Sequence, residues 1–428
     1  MLFNQTLTYI SLFSGAGVGC YGLLEEGFEC VATNETLEKR LNIQRINNKC
    51  KFDEGYICGD IKELEIKERI LKRIEFYSKN FGNDRIDLVV ATPPCQGMSV
   101  ANHKKKNDEI KRNSLVVESV DLIKQIKPRF FILENVPSFY KTGCIDKNDN
   151  LLEIGSMIEQ NLSGDYMLYD EVINFKNFGA NSSRTRTLVI GVCKEFKDFT
   201  SALEFFPDFK QEKTLKEVIG SLKPLTWGEY DSADFYHSFR TYPKHMQEWI
   251  KDLKEGQSTF ENVQDAISDL AYLCSNEGAF ESDYLNPVQS SYQALMRKDS
   301  PKLYNHQATN HSQAALEKLK LINKEQGKEC LPKNLHGKQQ FKSTWGRLNW
   351  NKISPTIDTR FDTPSNGTNS HPKLHRSITP REAARIQSFS DNYIFYGNKT
   401  SVCKQIGNAV PPLLALALGK AILKNLRK

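Results

Sequence analysis

The sequence has no Cys-x-x-Cys pair, no internal repeat and no low-complexity tract in its 428 residues. Its ten cysteines are scattered singly from Cys20 to Cys403, which argues against a disulfide framework and a structural zinc site, so no metal is expected. No run approaches the roughly 20 apolar residues of a membrane helix. The amino terminus has no signal-peptide pattern. We therefore expect a cytoplasmic protein with no membrane association.

The composition is that of a globular protein, with 39% hydrophobic and 26% charged residues, and the length of 428 predicts two or three structural units. Charge is uneven along the chain. Residues 229–283 hold 4 basic and 12 acidic residues, whereas residues 291–428 hold 23 basic and 8 acidic ones, a net charge of +15. The basic part indicates either a contact with a polyanion such as DNA or an ordinary solvated surface.

Short apolar segments alternate with helical periodicity over the first 190 residues, which predicts an α/β fold with a parallel sheet wrapped by helices. After about Pro224 aromatic and polar residues mix without strong periodicity, which indicates a second unit with irregular structure. The predicted strands cover 7–13, 30–33, 86–91, 130–133 and 187–192, and the predicted helices cover 17–26, 35–47, 66–77, 115–125, 152–161 and 412–426.

A glycine-rich turn follows the first predicted strand, in Ser11-Leu-Phe-Ser-Gly15-Ala-Gly17-Val-Gly19. Glycines permit a tight turn and a close approach of the backbone to a ligand. Glu35, after the next strand, is placed to accept hydrogen bonds from ribose hydroxyls, and Gly59-Asp60-Ile61 adds a third polar point. These features fit a dinucleotide or S-adenosylmethionine, although the glycines alone are also compatible with a structural turn.

Cys95 lies in the run Thr92-Pro93-Pro94-Cys95-Gln96-Gly97, just beyond a predicted strand and so at the carboxyl edge of the sheet, where α/β folds bind ligands. The two prolines stiffen the turn, and we expect the thiol to point outward. A nucleophilic thiolate fits this placement better than the alternative, a buried thiol.

Glu134 ends another apolar strand, in Phe130-Phe-Ile-Leu-Glu134-Asn135-Val136-Pro137. Burial there would raise its pKa and suit it to proton donation, whereas a helix cap or a structural ion pair is the alternative. Arg184 and Arg186 precede a further strand and are spaced by two, so both should point to one side. They are either structural ion-pair partners or active-site cations.

Taken in chain order, these motifs resemble those of the cytosine-5 DNA methyltransferases of bacterial restriction-modification systems. The resemblance covers residues 7–193 and about 346–420, and a run from Arg381 to Gln387 also resembles the family, as a packed helix. Three positions depart from the family pattern: Ser11 stands where Asp is frequent, Met98 where Phe is usual and Ser182 where Gln commonly precedes the arginines. The motifs are Phe13-Ser-Gly-x-Gly, Glu35, Gly59-Asp60, Pro93-Pro-Cys95-Gln96, Glu134-Asn135-Val136, Arg184-x-Arg186 and Gly407-Asn408-Ala409-Val410-Pro411-Pro412.

The resemblance implies a Rossmann-like sheet of the S-adenosylmethionine-dependent methyltransferase type with a second, smaller target-recognition domain. It divides the chain into a catalytic and cofactor-binding domain (1–224), a target-recognition domain (225–345) and a return segment that completes the catalytic domain (346–428). The implied activity is methyl transfer from S-adenosylmethionine to carbon 5 of a flipped-out cytosine in duplex DNA through a covalent cysteine adduct. A monomer that protects host DNA is also expected, with a cognate restriction endonuclease that acts on the same site without a stable complex.

The resemblance also assigns residues to the site. Cys95 is the nucleophile, and Glu134 is the acid at ring nitrogen 3. Arg186 meets the cytosine carbonyl oxygen, and Arg184 supports that loop or a phosphate. Segment 97–112, which is rich in Lys and Asn, is either a mobile loop that closes over the base or a plain surface loop. The expected cofactor residues are Phe13, Gly15, Gly17, Gly19, Glu35, Asp60, Ile61, Pro93, Leu115 and Asn408, and the expected DNA contacts are Gln96, Ser99, Lys104, Lys105, Lys106, His306 and His311.

Three other functions stay open from the sequence. The closest is the same chemistry on RNA, as in family members that modify transfer RNA, although the middle unit is larger than those enzymes usually carry. A catalytically dead DNA-binding module would keep the fold, but Cys95 and Glu134 are intact. A nicotinamide dehydrogenase would give these two residues no joint role.

Overall fold

The computed structural model describes residues 6–94, 113–196, 201–207, 260, 262–298, 300–323, 326–336 and 343–426. Segment 97–112, with Met98, lies outside these ranges. So do six of the predicted site residues: Cys95, Gln96, Ser99, Lys104, Lys105 and Lys106.

The described chain contains eleven strands: β1 (Thr8–Leu12), β2 (Glu29–Glu35), β3 (Tyr56–Cys58), β4 (Leu88–Ala91), β5 (Phe130–Asn135), β6 (Gly143–Ile145), β7 (Leu151–Glu153), β8 (Tyr166–Asn174), β9 (Thr185–Cys193), β10 (Gly278–Ser282) and β11 (Leu303–Gln307). Seven of them form one sheet in the order β3-β2-β1-β4-β5-β9-β8. β1 to β5 run parallel and are almost wholly buried, as near-continuous apolar segments predict.

The prediction of a parallel sheet has to be corrected at one edge. β9 runs antiparallel to both β5 and β8, and β8 was not predicted from the sequence. β8 carries Asp170, Glu171 and Asn174 among half-exposed residues, so it lacks the apolar run that marks the central strands.

The described helices are α1 (Tyr21–Glu25), α2 (Glu38–Ile46), α3 (Leu64–Phe81), α4 (Leu115–Ile126), α5 (Ile154–Leu162), α6 (Val263–Ile267), α7 (Ser291–Arg297), α8 (Gln313–Leu321), α9 (Pro380–Ile386), α10 (Lys399–Gly407) and α11 (Pro412–Leu426). α3, α4 and α5 pack on one face of the sheet, around residues such as Val89 and Phe131. α1, α2 and α11 cover the other face, around Val90 and Ile132. The side chains of successive strand residues therefore point into two separate cores, one on each face of the sheet.

α11 reaches the sheet through a close contact with α1. A Cβ atom at Gly22 would lie 2.0 Å from the carbonyl oxygen of Pro412, so only glycine permits this approach. Residues 399–426 are apolar and long enough to pass for a membrane span, but 67% of their most apolar window is buried inside the protein. Within the part of the chain that the structure describes, residues 399–426 are therefore buried as two helices of a protein core are.

A third core joins the middle of the chain to its last part. Val263, Tyr292 and Leu303 pack in one cluster with residues from Leu348 to Ala409, and Ala16 and Val18 belong to the same cluster. The predicted division of the chain at residue 345 remains a prediction, and this shared core is continuous across it.

Several arginines of the basic carboxyl-terminal part are inside the fold. Arg376 forms two hydrogen bonds with Glu382, of 2.8 and 2.7 Å, and both residues are buried. Arg385 binds Asp391 at 3.0 and 2.6 Å, and Arg347 donates to the backbone carbonyls of residues 319, 322, 371 and 374. The net charge of this part therefore overstates its basic surface.

His371 lies beside the Arg376–Glu382 pair, and its Nδ1 accepts hydrogen bonds of 3.1 Å from the backbone of Lys373 and of Leu374. Burial lowers the pKa of His371 from 6.5 to about 4. As pH falls from 6.5 to 4, the unfolded chain binds a proton that the folded chain does not, so stability decreases.

We expect the titration of His371 alone to lower the free energy of unfolding by on the order of 3 kcal/mol between neutral pH and pH 4. Denaturant unfolding across this pH range measures it, with His371→Gln as the variant and His336→Gln as the control. The free energy of unfolding should depend less steeply on pH in His371→Gln than in the wild type. In the control it should depend on pH as it does in the wild type. An equal slope in both variants would contradict the prediction.

Candidate active site

The predicted motifs meet at the carboxyl edge of β1, β4 and β5, which are neighbours in the sheet. The Nδ2 atom of Asn135 donates a buried hydrogen bond of 2.9 Å to the carbonyl oxygen of Pro93. The hydroxyl of Thr92 donates to the carbonyl oxygen of Phe13 at 3.0 Å. Direct bonds therefore join the glycine-rich turn, the Pro-Pro turn and the Glu-Asn-Val motif.

Glu134 is a buried carboxyl group, 9% exposed, at the end of β5. The Nε atom of Arg186 lies 3.1 Å from its Oε1. Burial raises the pKa of Glu134, and the positive charges of Arg186 and Arg184 oppose this rise. The carboxyl group thus holds a proton more readily than an exposed glutamate does.

An apolar cavity lies beside Glu134, between the sheet and α11, and accounts for part of this burial. The side chains around it are mostly hydrocarbon, which solvates a charged carboxylate poorly. Its lining comprises Gly19, Leu23, Val90, Thr92, Ile132, Glu134, Leu188, Val410, Leu414, Ala415 and Leu418.

The positive charges of both arginines act on Glu134, but the two side chains contact different groups. The Nη1 atom of Arg184 donates to the carbonyl oxygen of Gly407, next to Asn408. A Cβ atom at Gly407 would lie 2.4 Å from the carbonyl oxygen of Asp358, so this position requires glycine. Arg184 therefore anchors the Gly407-Asn408 motif, whereas Arg186 contacts the acid.

Ser182 is fully buried and pairs with Ser354 as an isolated β-bridge. The neighbouring Asn181 accepts a hydrogen bond of 3.2 Å from the backbone of Ser354. This departure from the family pattern therefore lies where the loop before β9 packs on the return segment. Ser11, the first departure, accepts a hydrogen bond of 3.0 Å from the buried Lys49.

The glycine-rich turn has an unusual backbone. Phe13, Gly15 and Gly17 have φ angles of 53°, 56° and 85°, in the left-handed region. A Cβ atom at Gly15 would meet nothing within 4 Å, so one side of the turn is open. The backbone N–H of Gly15 donates to Oε2 of Glu35 at 3.0 Å.

Glu35 is 5% exposed and already holds several donors. Its Oε1 accepts from Thr36, Leu37 and Arg40 at 3.0 to 3.1 Å, whereas its Oε2 accepts only the bond from Gly15 among the described residues. Oε2 thus holds one hydrogen bond where Oε1 holds three, so Oε2 keeps capacity to accept another. A ribose hydroxyl fits this position beside the open turn, so the residues present fit a nucleoside-containing cofactor.

The other predicted cofactor residues differ in burial. The backbone N–H of Gly59 donates to the carbonyl oxygen of Glu35 at 3.1 Å, which places Asp60 next to the end of β2. Ile61 is buried and Phe13 packs on the same apolar cluster. Pro93 is buried, Leu115 is half-buried at the start of α4, and Asn408 is exposed after α10.

The expected DNA contact of His306 has to be corrected. Its side chain is 2% exposed, and its ring nitrogens lie 3.0 Å from the Thr379 hydroxyl and 3.0 Å from the Ala271 carbonyl oxygen. His311 is half-buried, and its Nε2 accepts a hydrogen bond of 3.0 Å from the backbone of Ser377. Burial lowers the pKa of His311 to about 4, so a neutral ring occupies this position. Both histidine rings therefore form hydrogen bonds within the protein.

Sequence reasoning missed two residues that hold the cofactor side of the site. Arg40 donates to Glu35, and Gln44 donates to the glycine-rich turn. Gln44 lies one helical turn after the buried Leu41 in α2. A polar residue on the buried face of a helix was the signal that could have found it.

Comparison with known proteins decides the family. A model of the C-5 cytosine-specific DNA methylase family matches residues 7–424. The chain belongs to this family. It is 28% identical to the type II methyltransferase M.DdeI of Desulfomicrobium norvegicum over 97% of this chain and 88% of that protein. It is 27% identical to M.XorII of Xanthomonas oryzae over 98% of this chain and 85% of that protein.

Solved structures agree with this family at the level of the fold. A prophage-encoded DNA modification methyltransferase from E. coli superposes with a TM-score of 0.64, at 22% identity, and the match covers 99% of this chain and 100% of that one. The fold is therefore the predicted methyltransferase α/β fold. As its family and its type II relatives show, the protein is a DNA (cytosine-5)-methyltransferase.

Replacing Arg186 with Met should raise the pKa of Glu134 further, because a positive charge that opposes the rise is removed. Titration of the glutamate carboxyl carbons by ¹³C NMR measures this pKa. Arg45→Met, which removes ion pairs with Glu38 and Asp53 on another surface, is the control. An unchanged or lowered pKa in Arg186→Met would refute the electrostatic account of this site.

Proposed function

We propose that this methyltransferase acts on carbon 5 of a flipped-out cytosine at a specific duplex DNA sequence, through a covalent adduct with Cys95. The observation that supports this most is the buried acid Glu134, held beside Arg186 and tied through Asn135 to the turn that leads into Cys95. A proton-holding carboxyl and a nucleophilic thiol are the two groups that activation of a pyrimidine ring requires.

The first proposed step is addition of the Cys95 thiolate to carbon 6 of cytosine. Carbon 5 alone is a poor nucleophile, and this addition pushes electron density from the new carbon–sulfur bond into the ring. Pro93 and Pro94 directly precede Cys95 in the chain. The hydrogen bond from the Asn135 side chain holds the Pro93 carbonyl group in place. We infer that this fixed turn presents the thiol to the base.

Glu134 is the proposed acid in the same step. Its raised pKa favours a carboxylic acid that donates to ring nitrogen 3 while negative charge develops there. Arg186, which contacts the acid from β9, is placed to meet the cytosine carbonyl oxygen. After methylation, loss of the carbon 5 proton to a base such as water and expulsion of the Cys95 thiolate would release 5-methylcytosine.

S-adenosylmethionine is the proposed cofactor, and when bound it supplies an electrophilic methyl group. The free acceptor position on Glu35 suits a ribose hydroxyl, and the open side of Gly15 leaves room for the ligand. Phe13, half-buried beside this turn, offers an aromatic surface for the adenine ring, and Asp60 offers an acceptor for its amine.

The base is proposed to leave the duplex, because carbon 6 cannot be reached inside the stack. Segment 97–112 is proposed to close over the flipped base and to contact DNA through residues including Ser99, Lys104, Lys105 and Lys106, with Gln96 beside the nucleophile. Sequence recognition is assigned to the middle part of the chain, about 225–345.

The cellular role is proposed by analogy with the type II relatives. We infer a cytoplasmic monomer that methylates host DNA and so protects it from a cognate restriction endonuclease acting at the same sequence. Bisulfite sequencing of DNA from cells that express the chain would report activity and target sequence together.

Cys95→Ala should abolish methyl transfer and leave DNA binding intact, and Glu134→Gln should slow methyl transfer by roughly 10²- to 10⁴-fold, because the acid that neutralises the ring is lost. Incorporation of label from S-adenosylmethionine into duplex DNA measures turnover. Cys274→Ala and Glu75→Gln, both at exposed positions, are the matched controls.

Trapping on duplex DNA that contains 5-fluorocytosine tests the adduct itself. The wild-type protein should form a covalent complex that survives denaturation, and Cys95→Ala should form none. The same labelling with transfer RNA separates the RNA alternative, since label on RNA alone would overturn the proposed substrate.

A further inference from the structure

We propose that Gln44 is a positioning residue for the cofactor, which fixes the glycine-rich turn so that Gly15 and Glu35 present one defined acceptor to the ribose. This inference rests on the proposed cofactor site and adds a residue outside its predicted lining. Phe13 has a left-handed backbone, which a residue with a side chain keeps only where its surroundings hold it.

Gln44 is fully buried in α2 and uses both hydrogens of its amide on the turn. Its Nε2 donates to the hydroxyl of Ser14 at 2.8 Å and to the carbonyl oxygen of Gly15 at 2.8 Å. Its Oε1 accepts from the hydroxyl of Thr33 at 2.8 Å. The side chain therefore joins the turn to the adjacent strand β2.

The direction of these bonds is set by the carbonyl oxygen of Gly15, which can only accept a hydrogen bond. The Nε2 atom of Gln44 must therefore face the turn, which leaves Oε1 facing the Thr33 hydroxyl. Lys49 Nζ donates to the hydroxyl oxygen of Thr33 at 3.2 Å, so the Thr33 proton is available for the bond to Gln44 Oε1.

Gly15 is held on both sides by this arrangement. Its carbonyl oxygen accepts from Gln44 at 2.8 Å, and its N–H donates to Glu35 Oε2 at 3.0 Å. Because the N–H occupies one acceptor position of Oε2, the orientation of the Gly15 N–H decides which position on this oxygen remains open. Gln44 controls that orientation without lying on the open side of the turn.

Packing gives the contact little freedom. A Cβ atom at Gly17 would lie 2.6 Å from Cγ of Gln44 and 3.3 Å from Cδ of Lys49. The turn and the Gln44 side chain are therefore in direct contact, and a change in one displaces the other.

Gln44→Met tests this role, because it keeps the length of the side chain and removes its three hydrogen bonds. We expect the Kd for S-adenosylhomocysteine, measured by calorimetry, to rise about tenfold or more. The KM for S-adenosylmethionine should rise in parallel, whereas kcat at saturating cofactor should change little.

Gln293→Met is the matched control. Gln293 is equally buried, in α7, and its amide also makes three hydrogen bonds, to Gln264, to Ser268 and from the backbone of Gln289. We expect a comparable fall in Tm in both variants and a changed cofactor Kd only in Gln44→Met. Equal Kd values in Gln44→Met and wild type would overturn the proposal.

Thr33→Val covers the case in which Gln44→Met does not fold. It removes the hydroxyl that donates to Gln44 Oε1 and keeps the shape of the side chain, so the Kd should rise severalfold; an unchanged Kd would count against the proposal. Wild-type protein that binds no S-adenosylhomocysteine would instead refute the cofactor assignment itself, which distinguishes the two failures.

Discussion

The hydrogen bond from the Asn135 side chain to the Pro93 carbonyl oxygen joins two strand ends on which the whole site depends. β4 and β5 are parallel neighbours, so their carboxyl ends lie side by side, and this bond fixes the distance between the turn after one and the acid at the end of the other. On the opposite side of β4, Thr92 binds the carbonyl of Phe13 and so adds the glycine-rich turn. The cofactor side and the proposed base side are therefore parts of one bonded edge.

Two buried glutamates show how the same fold sets opposite protonation tendencies. Glu382 receives two hydrogen bonds from Arg376, which lower its pKa to about 2. Glu134 has one contact with Arg186 and an apolar cavity beside it, and burial raises its pKa. Both carboxyl groups lose hydration on burial. The charged donors of Glu382 outweigh this loss and keep it ionised, whereas those of Glu134 do not, so that Glu134 holds a proton more readily.

Much of the fold was predictable because the central strands are buried on both faces. The apolar runs that end at Ala91 and Asn135 appear in the sequence as continuous segments, and their motifs follow at the ends. β8 escaped prediction because its half-exposed residues include charged ones, and no short-range pattern reports that β9 enters the sheet in the opposite direction.

Site residues that belong to a contiguous sequence motif could be predicted. Residues that reach the site only through tertiary packing could not. Glu134 and Arg186 are named by their motifs, and the structure brings them together. Gln44 and Arg40 act through contacts made only when α2 packs beside the glycine-rich turn. His306 was expected to contact DNA, and Arg376 belongs to the basic part of the chain that was expected at a polyanion or on a solvated surface. Tertiary packing encloses both residues and supplies partners that the sequence does not show.

The placement of α11 also bears on how the protein is made. The described sheet is complete once Cys193 has been synthesised, but part of one face is covered by a helix that begins at Pro412 and packs on Gly22. During translation, that part of the apolar face has no cover until α11 has been synthesised. Exposed apolar surface of this kind favours aggregation, so we expect chaperone binding to the nascent chain to fall once α11 docks.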